Sequence, residues 1–340
     1  MRRWPILMFA LTLPALAFLA TCAPAGDELE KQAARYESVV WPGYPEQARI
    51  RLLAVFGGPE EIGIKESFLG QLWGWIAGTN PRNMIRPYAI AVYGERLAVA
   101  DPGAGAIHIF DMAGGDYERI EWADKRRLRS PVGLTFVGDK LYVADSELNG
   151  IFVFDPKLKL TQTIEGLARP TGIVWDPKSS RLYVTDTMSH SIVVLDAEGK
   201  RLFDFGGRGA GDGEFNFPSH LTIAGDSLYV NDTMNFRLQT FDLNGNFKSS
   251  FGRHGDGSGD FAQPKGIALD SEGHIYVADA LFNRVQIFNK RGQLMLAFGG
   301  DGAAPGHFWL PTGMFIEKDR IYVADSFNQR VQIFQFLGGA

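Results

Sequence analysis

The sequence contains little cysteine and no excess of positive charge. Cys22 is the one cysteine among 340 residues, so no disulfide can form within the chain. The 39 aspartates and glutamates outnumber the 34 lysines and arginines, which gives a net charge of −5. Nucleic-acid binding calls for a basic stripe that neutralises phosphates. The composition therefore excludes a disulfide scaffold and argues against a nucleic-acid partner.

Long apolar runs are also scarce. The run over residues 4–20 contains Pro5 and Pro14, and it is too short for a stable membrane-spanning helix. Arg2 and Arg3 precede it, as in the positive segment of an export signal. The remainder of the chain has a globular composition, with 45% hydrophobic and 21% charged residues overall. We therefore interpret residues 1–21 as a cleavable signal peptide.

The apolar run ends in LATC at residues 19–22, which resembles the lipobox of bacterial lipoproteins. The resemblance implies that Cys22 becomes the acylated, palmitate-bearing first residue of the mature protein. Ala23 follows, which in Gram-negative lipoproteins favours the outer membrane, here with the protein facing the periplasm. An ordinary signal peptide that contains a cysteine and a twin-arginine signal remain as alternatives.

Residues 22–50 are polar and contain proline, which favours a lipid-anchored tether. Trp41 and Tyr44 are expected to pack onto the folded body. Loss of residues 1–21 removes two arginines, so the net charge of −5 becomes −7. Such an acidic body is expected to stand off anionic headgroups and to contact the membrane through its anchor alone.

A six-fold repeat occupies the rest of the chain. Each copy reads Pro-x-Gly-apolar, a short turn, a strand that ends in aspartate, and a strand that ends in phenylalanine. The leading prolines are Pro87, Pro131, Pro170, Pro218, Pro264 and Pro311. The closing aspartates are Asp101, Asp145, Asp186, Asp232, Asp279 and Asp325, spaced 44, 41, 46, 47 and 46 residues apart. Short β-branched and aromatic runs at such a period predict four-stranded propeller blades.

The sixth copy lacks a fourth strand because the chain stops soon after its third. The missing pattern is found at the other end, in RLLAVFGG at residues 51–58. We therefore predict that residues 52–56 supply the outer strand of the blade whose inner strands come from residues 312–335. This closure would remove the open edge of the sheet stack. The predicted fold is an all-β, six-bladed propeller over residues 51–338, and it is expected to be monomeric.

The repeat resembles the NHL repeat over about residues 51–337. Copies four to six carry the resemblance most clearly, in NDTMNFRLQTF, ADALFNRVQIF and ADSFNQRVQIF. NHL propellers include binding platforms, RNA readers and a metal-dependent lyase, so this fold does not choose a function. We expect the closing aspartates to accept hydrogen bonds from loop N–H groups. Arginines five residues later are expected to pair with carboxylates between blades, namely Arg237, Arg284 and Arg330.

The loops after the aspartates carry bulky apolar residues. In a four-stranded blade these loops share one face with the connections between blades. The residues predicted to bind a partner there are Met188, Met234, Phe236, Leu281, Phe282 and Phe327. They either fold back onto the next blade or form a contiguous patch, which a monomer seldom leaves without a partner. Methionine-rich surfaces suit an adaptable protein interface.

An insertion at residues 59–82 precedes the first blade. Residues 64–77 have the apolar spacing of an amphipathic helix, and Trp73 and Trp75 are further candidates for partner binding. The segment is expected to lie across the propeller and fill a crevice. Docking of a partner and contact with the bilayer interface are the alternatives.

Two classes of function fit these patterns. The first is a non-catalytic envelope lipoprotein, without a cofactor, that docks another envelope protein. The second is a metal-dependent enzyme similar to the NHL-type peptidyl-α-hydroxyglycine amidating lyase, which would need several imidazoles around an ion. His220 is the one histidine placed to face the channel, since it lies at the start of an inner strand. The other blades have no histidine at the matching positions, which are Ala89, Gly133, Gly172, Gly266 and Gly313. One imidazole makes a weak candidate ligand, so we predict no metal site and the first class.

Overall fold

A computed structural model describes residues 25–64 and 82–338. Before the first blade, the described elements are α1 (Ala25–Arg35), β1 (Val40–Trp41), β2 (Ile50–Phe56) and a 3-10 turn (Pro59–Ile62). Blade 1 consists of β3 (Ala89–Tyr93), β4 (Arg96–Asp101), β5 (Ala106–Asp111) and β6 (Asp116–Ile120). A short hairpin of β7 (Trp122–Ala123) and β8 (Arg126–Arg127) follows it.

The next four blades repeat this arrangement. Blade 2 consists of β9 (Pro131–Val137), β10 (Lys140–Asp145), β11 (Gly150–Phe154) and β12 (Leu160–Ile164). Blade 3 consists of β13 (Pro170–Asp176), β14 (Arg181–Asp186), β15 (Ser191–Asp196) and β16 (Arg201–Gly206). Blade 4 consists of β17 (Pro218–Ala224), β18 (Ser227–Asp232), β19 (Arg237–Asp242) and β20 (Phe247–Phe251). Blade 5 consists of β21 (Pro264–Leu269), β22 (Ile275–Asp279), β23 (Arg284–Phe288) and β24 (Leu294–Gly299).

The ring closes in the way the repeat predicts. Blade 6 takes its inner strands from β25 (Pro311–Glu317), β26 (Arg320–Asp325) and β27 (Arg330–Phe336). Its outer strand is β2, which pairs antiparallel with β27 from Ile50↔Phe336 to Phe56↔Val331. The inner strand of blade 6 also contacts the inner strand of blade 1. The six-bladed, all-β propeller and its closing strand are therefore confirmed.

The segment before the closing strand packs on the propeller, contrary to the expectation of a tether. Gln32 of α1 donates to the Glu61 carbonyl at 2.7 Å and accepts from the Val55 N–H at 2.9 Å. Trp41 of β1 packs against phenylalanines of blades 5 and 6. Tyr44 does not pack, because it is 98% exposed. The polar composition suggested a tether, but polar side chains such as Gln32 bond to the neighbouring backbone and hold the segment in place.

The apolar core is divided among the joints between blades. Six buried clusters lie one in each gap between neighbouring blades, including the gap that β2 closes. Each blade is therefore stabilised by its two neighbours, as in other repeat architectures. Within the described ranges, none of the helices has the length and apolarity that crossing a bilayer requires.

The innermost strands crowd the channel. A Cβ atom at Gly133 would meet the Thr171 carbonyl of the next blade, and one at Gly172 would meet the Ser219 carbonyl. This close approach explains the glycine two residues after the leading proline. Blade 4 carries His220 at that position instead.

Candidate functional site

The closing aspartates organise one end of the propeller. Each of these six side chains is buried, with at most 2% exposure. In blade 1, the Asp101 carboxylate accepts the N–H groups of Ile85 at 2.6 Å and Arg86 at 2.9 Å. In blade 2, Asp145 accepts the N–H groups of Arg129 and Ser130. These hydrogen bonds fix the loops as the repeat predicts.

The same contact recurs in every blade. We call the two residues before each leading proline the rim positions, and at least one of them donates its N–H to the closing aspartate. We call this end of the propeller the upper face, since it carries the rim positions and the loops between second and third strands. The buried carboxylates thus hold both kinds of loop in place around the channel mouth.

Two of the three repeated arginines, Arg237 and Arg330, reinforce these loops within their own blades. Arg237 Nε lies 2.8 Å from Asp232, and Arg330 Nε lies 2.6 Å from Asp325. Their remaining guanidinium N–H groups donate to carbonyls of the preceding connection. Arg284 lies over the Phe282 ring at 4.7 Å. The expected pairing with carboxylates between blades is therefore wrong for Arg237 and Arg330, because each of them pairs with the closing aspartate of its own blade.

Four of the six predicted loop residues are exposed on the upper face. They are the second residues after the closing aspartates of blades 3 to 6, namely Met188, Met234, Leu281 and Phe327. Their exposures are 50%, 51%, 59% and 45%. Blades 1 and 2 have Gly103 and Glu147 there, so the apolar tips occupy one side of the ring.

The other two predicted residues are half-buried. The Phe236 ring lies 4.4 Å from the His254 ring, and Phe282 lies under the Arg284 guanidinium. The loops therefore combine both arrangements that the sequence left open: two side chains fold back and four are exposed. Trp73, Trp75 and Cys22 lie outside the described residues, as does the segment over residues 65–81.

Rim positions add three exposed apolar side chains that the sequence analysis missed. They are Ile85, Phe217 and Trp309, with exposures of 41%, 36% and 52%. Trp309 lies 5.7 Å from Phe327, ring to ring. Their position in the two residues before a leading proline is the feature of the sequence from which they could have been found. We call the seven exposed residues together the apolar arc: Ile85, Met188, Phe217, Met234, Leu281, Trp309 and Phe327.

Two aromatic residues of the upper face have strained backbones. Phe217 and Phe236 have φ of +53° and +54°, in the left-handed region. The five matching positions for Phe236 also have positive φ, and three of them hold glycine or asparagine, which adopt this conformation more readily: Gly105, Asn149, His190, Asn283 and Gln329. A bulky residue there costs roughly 1–2 kcal/mol. The same backbone conformation recurs at His190 and Gln329, and Leu310 shares that of Phe217, so it belongs to the loops of the repeat.

His220 lies in the central channel. His220 lines a cavity of about 70 Å³, and its ring stacks on Tyr88 at 5.5 Å. Its Nδ1 lies 3.1 Å from Ser219 Oγ, and its Nε2 is buried without a hydrogen-bond partner in the described structure. Burial lowers the pKa of His220 to about 3, so the imidazole is neutral at pH 7.

The remaining described histidines do not join it. His108 is buried between Asp101 and Tyr117, and His274 bonds to Asp270 at the opposite end of the propeller. Among residues 25–64 and 82–338, no three histidine, cysteine or acidic side chains are grouped closely enough to hold a metal ion. Of the described histidines, His220 alone lines the channel cavity.

A larger cavity of about 650 Å³ lies on the lower face, between α1 and blades 6 and 1. Its charged lining is balanced between Arg51, Lys318, Arg320 and Glu30, Glu95, Glu317. Balanced charge selects neither an anion nor a cation. The upper face, by contrast, has a definite chemical character, and we take it as the candidate site.

Two family models match separate parts of the chain. A model of a 6-bladed β-propeller matches residues 216–281, and a model of the SMP-30/gluconolactonase/LRE-like region matches residues 128–204. No curated protein matches the chain.

Solved propellers share the architecture at low identity. A catalytically inactive variant of virginiamycin B lyase from Staphylococcus aureus, solved with quinupristin, is 14% identical with a TM-score of 0.56, over 74% of this chain and 95% of that one. Hydrazine synthase from Kuenenia stuttgartiensis is 14% identical with a TM-score of 0.55, over 78% and 99%. A structural genomics protein from Bacteroides thetaiotaomicron is 14% identical with a TM-score of 0.59, over 75% and 70%. The chain is thus a six-bladed β-propeller with a region similar to the SMP-30/gluconolactonase/LRE-like proteins.

Proposed function

We propose that this protein is a non-catalytic scaffold of the cell envelope that binds a partner protein on its upper face. The apolar arc is the observation that carries the proposal. Seven large apolar side chains are exposed around the rim of one face, where a soluble monomer seldom leaves such a surface without a partner. Methionine and aromatic side chains are enriched at protein interfaces.

The rigidity of the loops supports the same function. The closing aspartates and the arginines bound to them hold the loops before any partner arrives. Binding to a preorganised surface loses less conformational entropy, so more of the contact energy is available for affinity.

The channel does not favour the metal-dependent lyase. Catalysis by a divalent ion would need several protein ligands and an open position, and the described lining of the channel offers one neutral imidazole, His220. The likeness to virginiamycin B lyase at 14% identity concerns the fold. We therefore rest no second function on it.

Export and anchoring complete the proposal. The lipobox-like sequence at residues 19–22 supports acylation of Cys22, and Ala23 after it supports the outer membrane. The protein would then face the periplasm. Its partner would be another envelope protein.

Site-specific photo-crosslinking in cells tests the proposal. A photoreactive amino acid at Leu281, on the upper face, should crosslink to one discrete protein. The same amino acid at Tyr93, which is also exposed, at a turn of the lower face, should not. Met234→Ser combined with Phe327→Ser should abolish the crosslink by removing apolar contact.

The matched control is Met295→Ser combined with Leu202→Ser. These exposed side chains lie on outer strands of blades 5 and 3, away from the rim. The control should crosslink as the wild type does. Equal crosslinking from Leu281 and Tyr93, or none from Leu281, would overturn the proposed function.

A further inference from the structure

A second arc of the upper face is basic. Arg86, Arg129 and Arg169 occupy rim positions of blades 1, 2 and 3, and each donates its backbone N–H to the closing aspartate of its blade. The rim positions of blades 4 to 6 contain no arginine; they are Asn216, Phe217, Ala262, Gln263, Trp309 and Leu310. Three consecutive blades thus present one guanidinium each, and we call these three residues the basic arc.

Within the parts of the chain that the structure describes, the guanidinium groups of the basic arc form no ion pair, although Glu147 is exposed on a loop of the same face. All three side chains are exposed, and none is among the ion pairs of residues 25–64 and 82–338. The adjoining hairpin adds Lys125 and Arg127, also exposed. Free guanidinium groups favour carboxylates, to which they can donate two parallel hydrogen bonds. A cluster of this sign is notable in a chain with a net charge of −5.

The two arcs meet at both ends. Between blades 6 and 1, the Arg86 guanidinium lies 5.6 Å from the centre of the Phe327 ring. In blade 3, Arg169 and Met188 flank the same closing aspartate, Asp186. One half of the rim therefore offers positive charge, and the other half offers apolar surface. A ligand that satisfies both halves carries anionic groups on one side and large apolar groups on the other.

We infer that the upper face binds an acidic amphipathic segment of a partner protein. Its carboxylates would meet Arg86, Arg129 and Arg169, while its apolar side chains would lie on the apolar arc. This inference rests on the proposed function and specifies the chemistry of the partner. Opposite charges placed in this way set the orientation of the bound segment and speed its association.

Charge on the other half of the face favours a protein segment over an anionic membrane. The connections that enter blades 4, 5 and 6 carry exposed Asp212, Asp256 and Asp301. A flat anionic bilayer laid across the face would come close to these carboxylates and be repelled. A narrow segment along the rim can contact the arginines and stay away from these carboxylates.

Designed peptides test the inference by fluorescence anisotropy with the purified mature chain. The probe is a 16-residue peptide with glutamates on one side and leucines and phenylalanines on the other. One control peptide replaces every glutamate with lysine, and a second replaces the apolar residues with serine. We expect the probe to bind about tenfold more tightly than either control, and more weakly as salt is raised.

Charge reversal identifies the side chains that act. Arg129→Glu combined with Arg169→Glu should weaken binding of the probe by about tenfold or more, since attraction becomes repulsion. Arg291→Glu is the matched control, because Arg291 is exposed at a lower-face turn, and it should bind as the wild type does. Equal binding of the lysine peptide, or unchanged binding by the double variant, would overturn the inference.

The outcomes separate this inference from the proposed function. If Leu281 crosslinks to a partner but the double arginine variant retains that crosslink and the affinity for the probe, the inference alone fails. If Leu281 yields no crosslink, the proposed function fails.

Vesicles of 70% phosphatidylcholine and 30% phosphatidylglycerol, and a 16-nucleotide oligouridylate, serve as competing ligands. If the vesicles or the oligouridylate bind more tightly than the probe peptide, and the double arginine variant loses that binding, the assignment to a protein segment is overturned.

Discussion

His220 shows how one side chain in the channel couples stability to acidity. Its imidazole stands where the other blades have glycine or alanine, and burial lowers its pKa to about 3. In the unfolded chain the pKa of histidine is about 6.5. Between these two pH values the unfolded chain binds a proton that the folded chain does not. The free energy of unfolding should therefore decrease as pH falls from about 6.5 towards 3.

Replacement of His220 by glutamine should reduce this pH dependence. The variant His220→Gln should lose up to about 1.4 kcal/mol per pH unit of the slope below pH 6.5, because one proton no longer differs between the states. Urea unfolding at pH 7.5, 6.0 and 5.0 measures the slope. His307→Gln, at an exposed connection, should keep the wild-type slope. Identical slopes for His220→Gln and the wild type would contradict the burial of a neutral imidazole.

At this scale the sequence predicted which residues anchor the loops but not which ones are exposed. The repetition of Asp101 and its equivalents was enough to indicate a structural role. The exposure of Trp309 and the half-burial of Phe236 were not predictable, because they depend on which ring a neighbouring blade supplies. Phe236 meets His254, whereas Trp309 remains at the rim.

The closing strand β2 is the element that joins the beginning of the domain to its end. Leu52 and Phe56 are fully buried, and they belong to the two apolar clusters on either side of blade 6. Both gaps therefore depend on one seven-residue strand. The strand was predictable because its pattern matches the fourth strands of other blades. α1 was not, because its polar sequence gains its packing from β2.

Loss of β2 should weaken the whole ring. Deletion of residues 51–58 would expose the edge of β27 and open both clusters, so cooperative urea unfolding should shift to much lower denaturant or disappear. Leu52→Ala should cost about 2–5 kcal/mol, as other buried leucines do. Leu202→Ala, on the exposed outer strand of blade 3, should change little. A deletion variant with an unchanged midpoint would contradict closure by this strand.

The whole molecule is expected to sit near its membrane. α1 begins at Ala25, three residues after Cys22, and α1 packs against the propeller. Three extended residues span at most about 11 Å. If Cys22 is acylated, the lipid anchor therefore lies within this short distance of α1, in place of the long tether that the composition suggested. The number of blades was predictable from the repeat. The distance between the lipid anchor and the propeller was not, because it depends on where α1 packs.

Acylation of Cys22 is testable by mass spectrometry of the native protein. The mature N-terminus should be Cys22 with attached acyl chains, and the protein should fractionate with the outer membrane. Cys22→Ser should carry no acyl chains and should no longer fractionate with the outer membrane, because the thiol that would be acylated is gone. An unmodified N-terminus downstream of Cys22 in the wild type would refute the anchor.

The closing aspartates leave the rim side chains free to vary. Each carboxylate accepts hydrogen bonds from the main chain of the rim positions, so no particular side chain is needed there to hold the loop. Substitution at these sites can alter what the face recognises while the hydrogen bonds beneath stay the same. Related sequences could thus evolve new specificities by exchanging a few rim residues on an unchanged scaffold, without a matching loss of stability.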